Sequence, residues 1–425
     1  MAPHPIRDDS NLKDIAIIGA GPVGLEAALE ARRRGHQVTV YEADRVGEHF
    51  RRYGEVELFT PFRMNSTELG RGRIEAAGGE LPAEGALLSA REFVERYLEP
   101  LAGLPELRGA IRTGTRVSQI AREGLRKPDG IAAVGDDARA RLPFLLRVED
   151  RHGARFDRAD AVIDASGVYG SPNATGPGGL PALGEEALGD RIERHLPSIR
   201  GSARERYAGA RLLLLGDGHS AATALVDLAA LAREKGSAPT VHWIHRDSTG
   251  DLWPIDPTDP LPARRALAER ANAVARSGDW LTRHPGASVT AYEIRPGGSV
   301  GVTVRERGGG ARALQVDRVL ALVGYRPDIS LYREVHMHLC YASEGPMALA
   351  SALLAARVAD AGAAGDCLSQ RSHGPDSLRT PEPDFFVVGA KSYGRNPNFL
   401  LSIGQEQVRD VLEMLGAATP AARPA

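Results

Sequence analysis

The chain has 425 residues, of which 42% are hydrophobic and 25% are charged, and its formal net charge is -2. This composition predicts a globular protein of two or three domains and gives no electrostatic reason to expect a nucleic acid or an anionic membrane as a partner. No apolar run approaches the roughly 18 to 20 residues needed to span a bilayer, and the first residues lack the apolar core of a signal peptide. We therefore expect a soluble, cytoplasmic protein.

A glycine-rich turn follows the first apolar run of the chain, "IAIIGAGPVGLEAAL" (15–29). Residues 15–18 predict a short strand buried in a parallel sheet, and Gly19, Gly21 and Gly24 follow in the G-x-G-x-x-G spacing before a helix. In this arrangement the first glycine makes the tight turn, the second lets a pyrophosphate approach the backbone, and the third lets the helix pack on the strand. The helix N-terminus supplies free N–H groups for the phosphates.

The next strand of this unit is "QVTVYE" (37–42), which ends at Glu42. A carboxylate at this position accepts hydrogen bonds from the ribose diol of a bound dinucleotide. Because strand, turn, helix, strand and acid follow in this order, the segment predicts a dinucleotide site. The ribose-binding glutamate is typical of an FAD site.

The segment "LLLLGDGHSAATAL" (212–225) repeats the same device. Residues 212–215 predict the strand, and Gly216, Gly218 and Ala221 form the turn. Ser220, in the same turn, is a further predicted cofactor-binding residue.

The strand after the second turn, "VHWIHR" (241–246), ends with Arg246 where the first unit has an acid. A guanidinium can bind the 2′-phosphate of NADP through paired charge-assisted hydrogen bonds. His245 and Ser248 could assist. The alternative is that Arg246 is a solvated strand end.

Two dinucleotide sites in one chain indicate that FAD stays bound while NADPH visits and passes a hydride to the flavin. The predicted fold is α/β, with two Rossmann-like, three-layer dinucleotide-binding domains. Residues 1–190 form the first part of the FAD domain and residues 325–425 the second part. The NADPH domain, residues 191–324, is inserted between them.

Together these features resemble the two-dinucleotide-binding-domain flavoproteins and, among them, the flavin-containing monooxygenases. "ADAVIDASGVYGSPN" (159–173) and "VDRVLALVGYRPD" (316–328) are similar to the segments by which such chains cross between domains, and their strands end at Gly167 and Gly324. "FFVVGA" (385–390) resembles the last FAD-domain strand, followed by a helix starting near Pro397. The resemblance implies further FAD contacts, which are made by Val117, Gly167, Gly389, Asn398 and Phe399.

The chain departs from the family pattern at two places. Ala390 follows Gly389, where the family commonly has an aspartate that binds the ribityl chain. The monooxygenase fingerprint F-x-G-x-x-x-H is not cleanly present, and "LGDRIERHLPSIRG" (188–201) occupies roughly its place. The resemblance therefore identifies the superfamily but does not identify one subfamily.

The resemblance also implies a catalytic residue. An asparagine soon after the first unit sits over the flavin ring in the family, and Asn65 in "LFTPFRMNSTELG" (58–70) matches it. The alternative role for this position is a helix cap, with Glu68 three residues on. A second candidate is the loop at 391–397, "KSYGRNP", which is either a substrate-contacting loop or a plain interdomain turn.

We accordingly expect an NADPH-dependent FAD monooxygenase that oxygenates a nitrogen or sulfur atom of a small molecule through a flavin hydroperoxide. The expected partners are this substrate and oxygen, and a homodimer is left open. The alternatives are an NADPH-dependent reductase or oxidase that passes electrons to another acceptor, and an electron-transfer component that docks on a protein. Cys340 and Cys367 are too far apart for a Cys-x-x-Cys motif, which disfavours a reductase with a local dithiol.

Three further features are weaker. His336, His338 and Cys340 would share one face of a strand, but at about 7 Å spacing they predict no metal site. Cys367 and His373 are either a nucleophile pair or loop residues. Trp253 in "DLWPIDPTDP" either shapes a substrate entrance or packs in the interior.

Overall fold

The computed structural model describes residues 12–129, 138–246, 251–276, 278–359 and 372–416. Ser248 and Cys367, named above, lie outside these ranges. In chain order, the strands are β1 (Asp14–Ile18), β2 (Gln37–Tyr41), β3 (Ile111–Arg112), β4 (Arg116–Arg122), β5 (Phe144–Asp150), β6 (Gly153–Ala159), β7 (Ala161–Asp164), β8 (Ile192–Glu193), β9 (Arg211–Leu215), β10 (Thr240–His245), β11 (Leu281–Pro285), β12 (Ser288–Ile294), β13 (Val300–Arg305), β14 (Ala311–Val316), β15 (Arg318–Ala321) and β16 (Phe385–Val387).

The α-helices of the described residues are α1 (Pro22–Arg33), α2 (Glu48–Arg52), α3 (Phe62–Asn65), α4 (Glu68–Ala76), α5 (Ala90–Phe93), α6 (Glu99–Ala102), α7 (Ala138–Arg141), α8 (His219–Arg233), α9 (Pro262–Ala275), α10 (Met347–Ala359) and α11 (Leu401–Gly416). A π-helical segment, Val94–Leu98, joins α5 to α6. Among the described residues, none of these helices combines the length and the apolar character that crossing a membrane requires.

The first sheet is parallel, with strand order β16-β7-β1-β2-β3. Side chains alternate across a strand, so Ile15 and Ile17 pack against α1 and α11 on one face. Ala16 and Ile18 face the antiparallel sheet β4-β5-β6 on the other face. The strand is apolar throughout because both of its faces are buried.

The second sheet has the same layered arrangement. Its order is β11-β10-β9-β15-β8, again parallel. Leu212 and Leu214 face α8 and α9, whereas Leu213 and Leu215 face the antiparallel sheet β12-β13-β14. Two parallel sheets, each between a helical layer and an antiparallel sheet, confirm the predicted α/β class.

Two segments cross between the two parallel sheets, one after β7 and the other after β15. They pair with each other where Asn173 N–H donates to the carbonyl of Gly324 at 3.0 Å, and Pro172 and Tyr325 form an isolated bridge. Gly167 and Gly324 adopt positive φ at the ends of these strands, +71° and +82°. The second sheet lies in sequence between β7 and β16 of the first, while the domain boundaries at 190 and 324 stay a prediction.

The segment around His336, His338 and Cys340 is not a strand, so the premise that these residues share a strand face was wrong. The backbone N–H of His336 instead donates to Glu382 at 2.7 Å, and its ring contacts the carbonyl of Lys127. Glu382 is itself buried with Arg122 and Arg139, at 2.7 and 2.6 Å, so this region is held by an internal ion-pair cluster.

Candidate cofactor and active site

The first glycine-rich turn has the geometry that a phosphate-binding turn needs. Gly19 has φ of +99°, and a Cβ there would lie 2.9 Å from the carbonyl oxygen of Ala165. A Cβ on Gly24 would lie 2.0 Å from the carbonyl oxygen of Gly19, so helix and turn can approach only with glycine. Around Gly21 there is open space, and no described side chain caps α1. The N–H groups at the start of α1 therefore face an open approach for a phosphate.

Glu42 braces this turn as well as facing the cleft. One carboxylate oxygen accepts from the backbone N–H of Ala20 and the other from that of Asp44, both at 2.8 Å. Burial raises the Glu42 pKa above its ordinary value. Each carboxylate oxygen can accept more than one hydrogen bond, which leaves acceptor capacity for a ribose diol.

The second turn repeats these features at the start of α8. Gly216 has φ of +119°, and a Cβ there would meet the carbonyl oxygen of Leu322 at 2.2 Å. Gly218 is in open space and precedes the helix in an extended conformation. Ser220 lies exposed in the first turn of α8.

Arg246 directly follows β10 and forms a bidentate ion pair with Asp217 of the second turn. The Nε–Oδ2 and Nη2–Oδ1 distances are 2.8 and 2.9 Å. The Arg246 side chain is nevertheless 88% exposed, so its outer surface is open to a ligand. His245 is buried against Trp243, with ring centroids 4.4 Å apart. Sequence reasoning missed Asp217, although an acid inside a glycine-rich turn is a visible signal.

Both turns open into one cleft of about 1570 Å³. This volume exceeds the roughly 300 to 1,000 Å³ of a site for one drug-sized ligand, so two extended ligands have room. The predicted site residues that line it are Gly19, Gly21, Glu42, Asn65, Val117, Gly167, Gly216, Gly218, Ser220, Arg246, Gly389, Asn398 and Phe399. Gly24 instead packs beneath the turn. The structure thus gathers residues as far apart in the chain as Gly19 and Phe399 at the carboxyl edges of both parallel sheets.

Asn65 lies in a segment that reaches from one turn region to the other. It is the last residue of α3 and is 3% exposed. Its Oδ1 accepts from the Thr60 hydroxyl at 2.7 Å, and its Nδ2 donates to the Thr60 carbonyl at 3.0 Å. Phe59 of the same segment contacts His219 at the start of α8, with centroids 5.4 Å apart. The amide therefore has a fixed orientation and a second N–H for a ligand in the cleft.

The helix-cap alternative for Asn65 was wrong, because Thr67 caps α4 by accepting from the N–H of Gly70 at 2.8 Å. Thr67 also donates to Glu26 of α1 at 2.7 Å, and Tyr97 hydrogen-bonds the same carboxyl group. Burial raises the Glu26 pKa, against the lowering effect of these hydrogen bonds. This buried group anchors the Asn65 segment to the first nucleotide-binding helix, and sequence reasoning did not find it.

A buried ion pair stands beside Gly389. Lys391 Nζ lies 2.7 Å from Asp164 Oδ2 and 3.0 Å from the Ser166 hydroxyl, and Tyr332 donates to the same carboxylate at 2.8 Å. Burial would raise the Asp164 pKa, but Lys391 and Ser166 outweigh it and hold this pKa below its ordinary value. Asp164 and Lys391 are 0% and 1% exposed. Asp164 was a missed residue, although an acid that ends the apolar run "AVID" signals an internal partner.

The loop at 391–397 divides between the cleft and the interior. Lys391, Arg395 and Asn396 line the cleft, although Lys391 is as buried as Ser392 and Tyr393, which do not line it. Arg395 pairs with Glu344 at 2.8 Å. The helix expected near Pro397 begins at Leu401.

Comparison with known proteins agrees with this geometry. A family model described as pyridine nucleotide-disulphide oxidoreductase matches residues 16–126. Flavin-containing monooxygenase FMO GS-OX-like 5 of Arabidopsis thaliana is 24% identical over 285 residues, which are 59% of this chain and 56% of that protein. The chain therefore matches little more than half the length of this relative.

Two solved structures show the fold over nearly the whole chain. A bacillithiol disulfide reductase from Bacillus cereus has a TM-score of 0.68 and 17% identity, covering 95% of this chain and 98% of that one. A cadaverine monooxygenase from Erwinia amylovora has a TM-score of 0.61 and 14% identity, covering 97% and 99%. The chain has the two-dinucleotide-binding-domain flavoprotein fold, which confirms both the predicted fold and the predicted resemblance. The matches also support the predicted class, an oxidoreductase that uses FAD and a nicotinamide nucleotide.

Proposed function

We propose that the protein is an NADPH-dependent FAD monooxygenase that oxygenates a nitrogen or sulfur atom of a small molecule. The observation that carries the proposal is the position of Asn65, which lines the cleft shared by the two glycine-rich turns and whose amide is fixed by Thr60. The Arabidopsis relative and the Erwinia structure, both described as monooxygenases, support it. Bound together, the two cofactors would supply a reduced flavin able to activate oxygen.

The residues of the first turn fit FAD. Open space at Gly21 and the free start of α1 suit a pyrophosphate, and Glu42 suits the adenosine ribose. At the other end of the site, Lys391 lines the cleft beside Gly389. Its ammonium group has three N–H donors, of which Asp164 and Ser166 accept two. We assign the third to the ribityl chain of the flavin, in the region where the family commonly uses an aspartate.

The residues of the second turn fit NADPH. Gly218 and the start of α8 suit the pyrophosphate, and the exposed outer side of Arg246 suits the 2′-phosphate. Asp217 would then share Arg246 with the phosphate, because the guanidinium has five N–H donors and the carboxylate takes two.

In this proposal Asn65 acts as a hydrogen-bond donor with a fixed orientation. Thr60 fixes both ends of the amide, so the remaining N–H holds its direction without any rearrangement when a partner binds. A preorganised donor in a site closed to water stabilises developing negative charge more strongly than water does. Substitution of Asn65 should therefore affect oxygen transfer more than nicotinamide binding.

The experiment compares the amount of NADPH consumed with the amounts of the products formed. Protein saturated with FAD is mixed with NADPH, a neutral thioether and ¹⁸O₂, and consumed NADPH, released peroxide and labelled sulfoxide are measured. We expect one ¹⁸O atom per sulfoxide and nearly one sulfoxide per NADPH. For Asn65→Ala we expect peroxide to replace sulfoxide while NADPH still reduces the flavin. Arg63→Ala, an exposed position on the same helix, is the matched control and should behave like the unaltered protein.

The main alternative is a reductase or oxidase that passes electrons elsewhere, and the likeness to the bacillithiol disulfide reductase keeps it open. Cys340 does not line the cleft, so among the described residues no thiol is placed to accept electrons there. If NADPH is consumed with peroxide as the sole product for amines and thioethers alike, the monooxygenase proposal is wrong.

A further inference from the structure

The cleft contains a group of aromatic rings that neither glycine-rich turn explains. We call it the aromatic wall, and it consists of His49, Tyr53, Tyr169, His195 and Tyr325. The ring centroids of Tyr169 lie 5.5 Å from Tyr53 and 4.4 Å from Tyr325, and those of His195 and Tyr325 are 5.5 Å apart. These are separations at which aromatic rings attract one another. Residues of α2 and directly after it, of the segment after β8 and of both crossing segments thus converge on one place.

The wall is held in position but not enclosed. The Tyr325 hydroxyl donates to the carbonyl of Arg194 at 2.9 Å and lies 3.0 Å from His195 Nδ1. All five residues are half-buried, and four of them line the cleft; His195 is the exception. The partly open rings at the carboxyl ends of β7 and β15 offer a stacking surface where α/β sheets bind ligands.

The wall carries no charge near neutral pH. Burial, with help from Arg52, lowers the His49 pKa to about 4. Burial also lowers the His195 pKa and raises the pKa values of the three tyrosines. Both histidines are therefore neutral imidazoles and the tyrosines are neutral phenols.

Two arginines stand near the wall. Arg52 faces it and pairs with Asp44 at 3.1 Å, and Arg194 pairs with Glu185 at 2.7 Å. The charge of Glu193 helps to raise the Tyr325 pKa, but Glu193 is not among the residues that line the cleft. Asp44 and Glu48, which do line it, both pair with Arg52.

From this we infer that the substrate is an aromatic molecule whose ring stacks on the aromatic wall and whose nitrogen or sulfur atom is attached near that ring. The inference rests on the proposed monooxygenase function. It sets the protein apart from the cadaverine monooxygenase whose fold it shares, because cadaverine is an aliphatic diamine without a ring to stack.

Two matched thioethers test the stacking. Methyl phenyl sulfide and methyl cyclohexyl sulfide carry the same sulfur atom and no charge, so they differ mainly in the aromatic ring. We measure KM and sulfoxide formed per NADPH for both. The phenyl compound should have a KM lower by about threefold to tenfold, the size expected of one or two aromatic contacts.

Substitutions then locate the effect. Tyr169→Leu should bring the phenyl-to-cyclohexyl ratio of KM close to one, whereas Tyr169→Phe should keep it. Phe156→Leu, an exposed ring on β6 away from the cleft, is the control. Because the ratio compares two substrates on one protein sample, a partial loss of folded protein does not change it.

The outcomes separate the two proposals. If both sulfides are oxygenated with equal KM, the monooxygenase function stands and the aromatic inference is wrong. If neither sulfide is oxygenated, the monooxygenase proposal is wrong. The binding affinities of the two sulfides, measured from changes in the flavin absorbance, then still decide whether the wall prefers aromatic rings. If Tyr169→Leu raises the KM for NADPH and leaves the ratio unchanged, the wall serves the nicotinamide and the inference is wrong.

Discussion

Arg246 and Asp217 form a bidentate ion pair across the second glycine-rich turn, with N–O distances of 2.8 and 2.9 Å. Arg246 is the residue proposed to bind the 2′-phosphate of NADPH, and Asp217 lies between the two turn glycines Gly216 and Gly218. The guanidinium lowers the Asp217 pKa against the raising effect of burial, so this carboxylate stays ionised. Coenzyme selectivity should therefore depend on both residues.

We expect Arg246→Ala to raise the KM for NADPH by about tenfold or more, the loss expected for a charged hydrogen-bonding group, and to leave the KM for NADH nearly unchanged. Asp217→Asn should lower the KM for NADPH, because it removes a negative charge near the phosphate and frees donors of Arg246. Steady-state NADPH and NADH oxidation measures both. Equal effects on the two coenzymes would show that the pair has a structural role only.

The two glycines of the first turn should separate binding from folding. Gly21→Ala adds a methyl group where the protein leaves space and where the backbone is extended, so the apoprotein should melt at an unchanged temperature. The same methyl group would occupy the pyrophosphate approach, and FAD affinity should fall by at least about tenfold. Titration of the apoprotein with FAD, followed by flavin fluorescence, measures this.

Gly24→Ala is the matched comparison. Its Cβ would lie 2.0 Å from the carbonyl oxygen of Gly19, so the turn must move and the melting temperature should fall. Unchanged FAD affinity in Gly21→Ala would argue against a pyrophosphate at this turn.

The sequence predicted the two turns and their strands because their chemistry is local. A strand of four apolar residues, three spaced glycines and a terminal polar residue can all be recognised within about 30 residues. The strand bounds agree with the structure to within one residue for β1 and β9. Ala390, where the family has an aspartate, was also visible in the sequence.

The parts that sequence did not predict are made by contacts between distant segments. Lys391 contacts Asp164, which is 227 positions away in the chain. Tyr53 contacts Tyr169 in the same way, and the periodicity of the sequence does not reveal such contacts between distant segments. The surroundings of His336 were not predictable for the same reason, because this residue contacts Glu382 and Lys127, which are distant in the chain.

Glu26 should make stability depend on pH. Its folded-state pKa is raised, so the protonated carboxyl group is the form that favours the folded state. This contribution is fully present below the ordinary value of 4.5 and is lost as pH rises through the folded-state pKa. Glu26→Gln keeps a hydrogen-bonding group without the titration, and we expect it to be at least as stable as the unaltered protein at pH 8. Urea unfolding between pH 5 and 8 measures the difference.

The same network should matter for oxygen transfer. Glu26→Leu removes the acceptor for Thr67 and Tyr97, which hold the segment that follows Asn65. It should lower the yield of oxygenated product per NADPH, whereas Glu26→Gln should preserve that yield. If both substitutions preserve it, the network does not position Asn65.

The buried pair of Lys391 and Asp164 gives the last prediction. Among the described residues, Lys391→Met leaves the buried Asp164 carboxylate with hydrogen bonds from Ser166 and Tyr332 alone, and losing one partner of a buried pair costs about 3 to 5 kcal/mol. We expect a large fall in unfolding free energy and loss of FAD. In the double variant Lys391→Met, Asp164→Asn the uncompensated charge is gone, so most of the stability should return.

FAD affinity in the double variant then decides what Lys391 does. If the ammonium group binds the ribityl chain as proposed, FAD binding stays weak although the fold has recovered. If FAD affinity recovers together with stability, Lys391 serves only to neutralise Asp164. The low Asp164 pKa adds an independent check, because the stabilisation from this pair should persist above the ordinary carboxyl value of 3.8 and be lost as pH falls through the folded-state pKa. The double variant should lack that acid-side loss when its unfolding is followed from pH 6 downward.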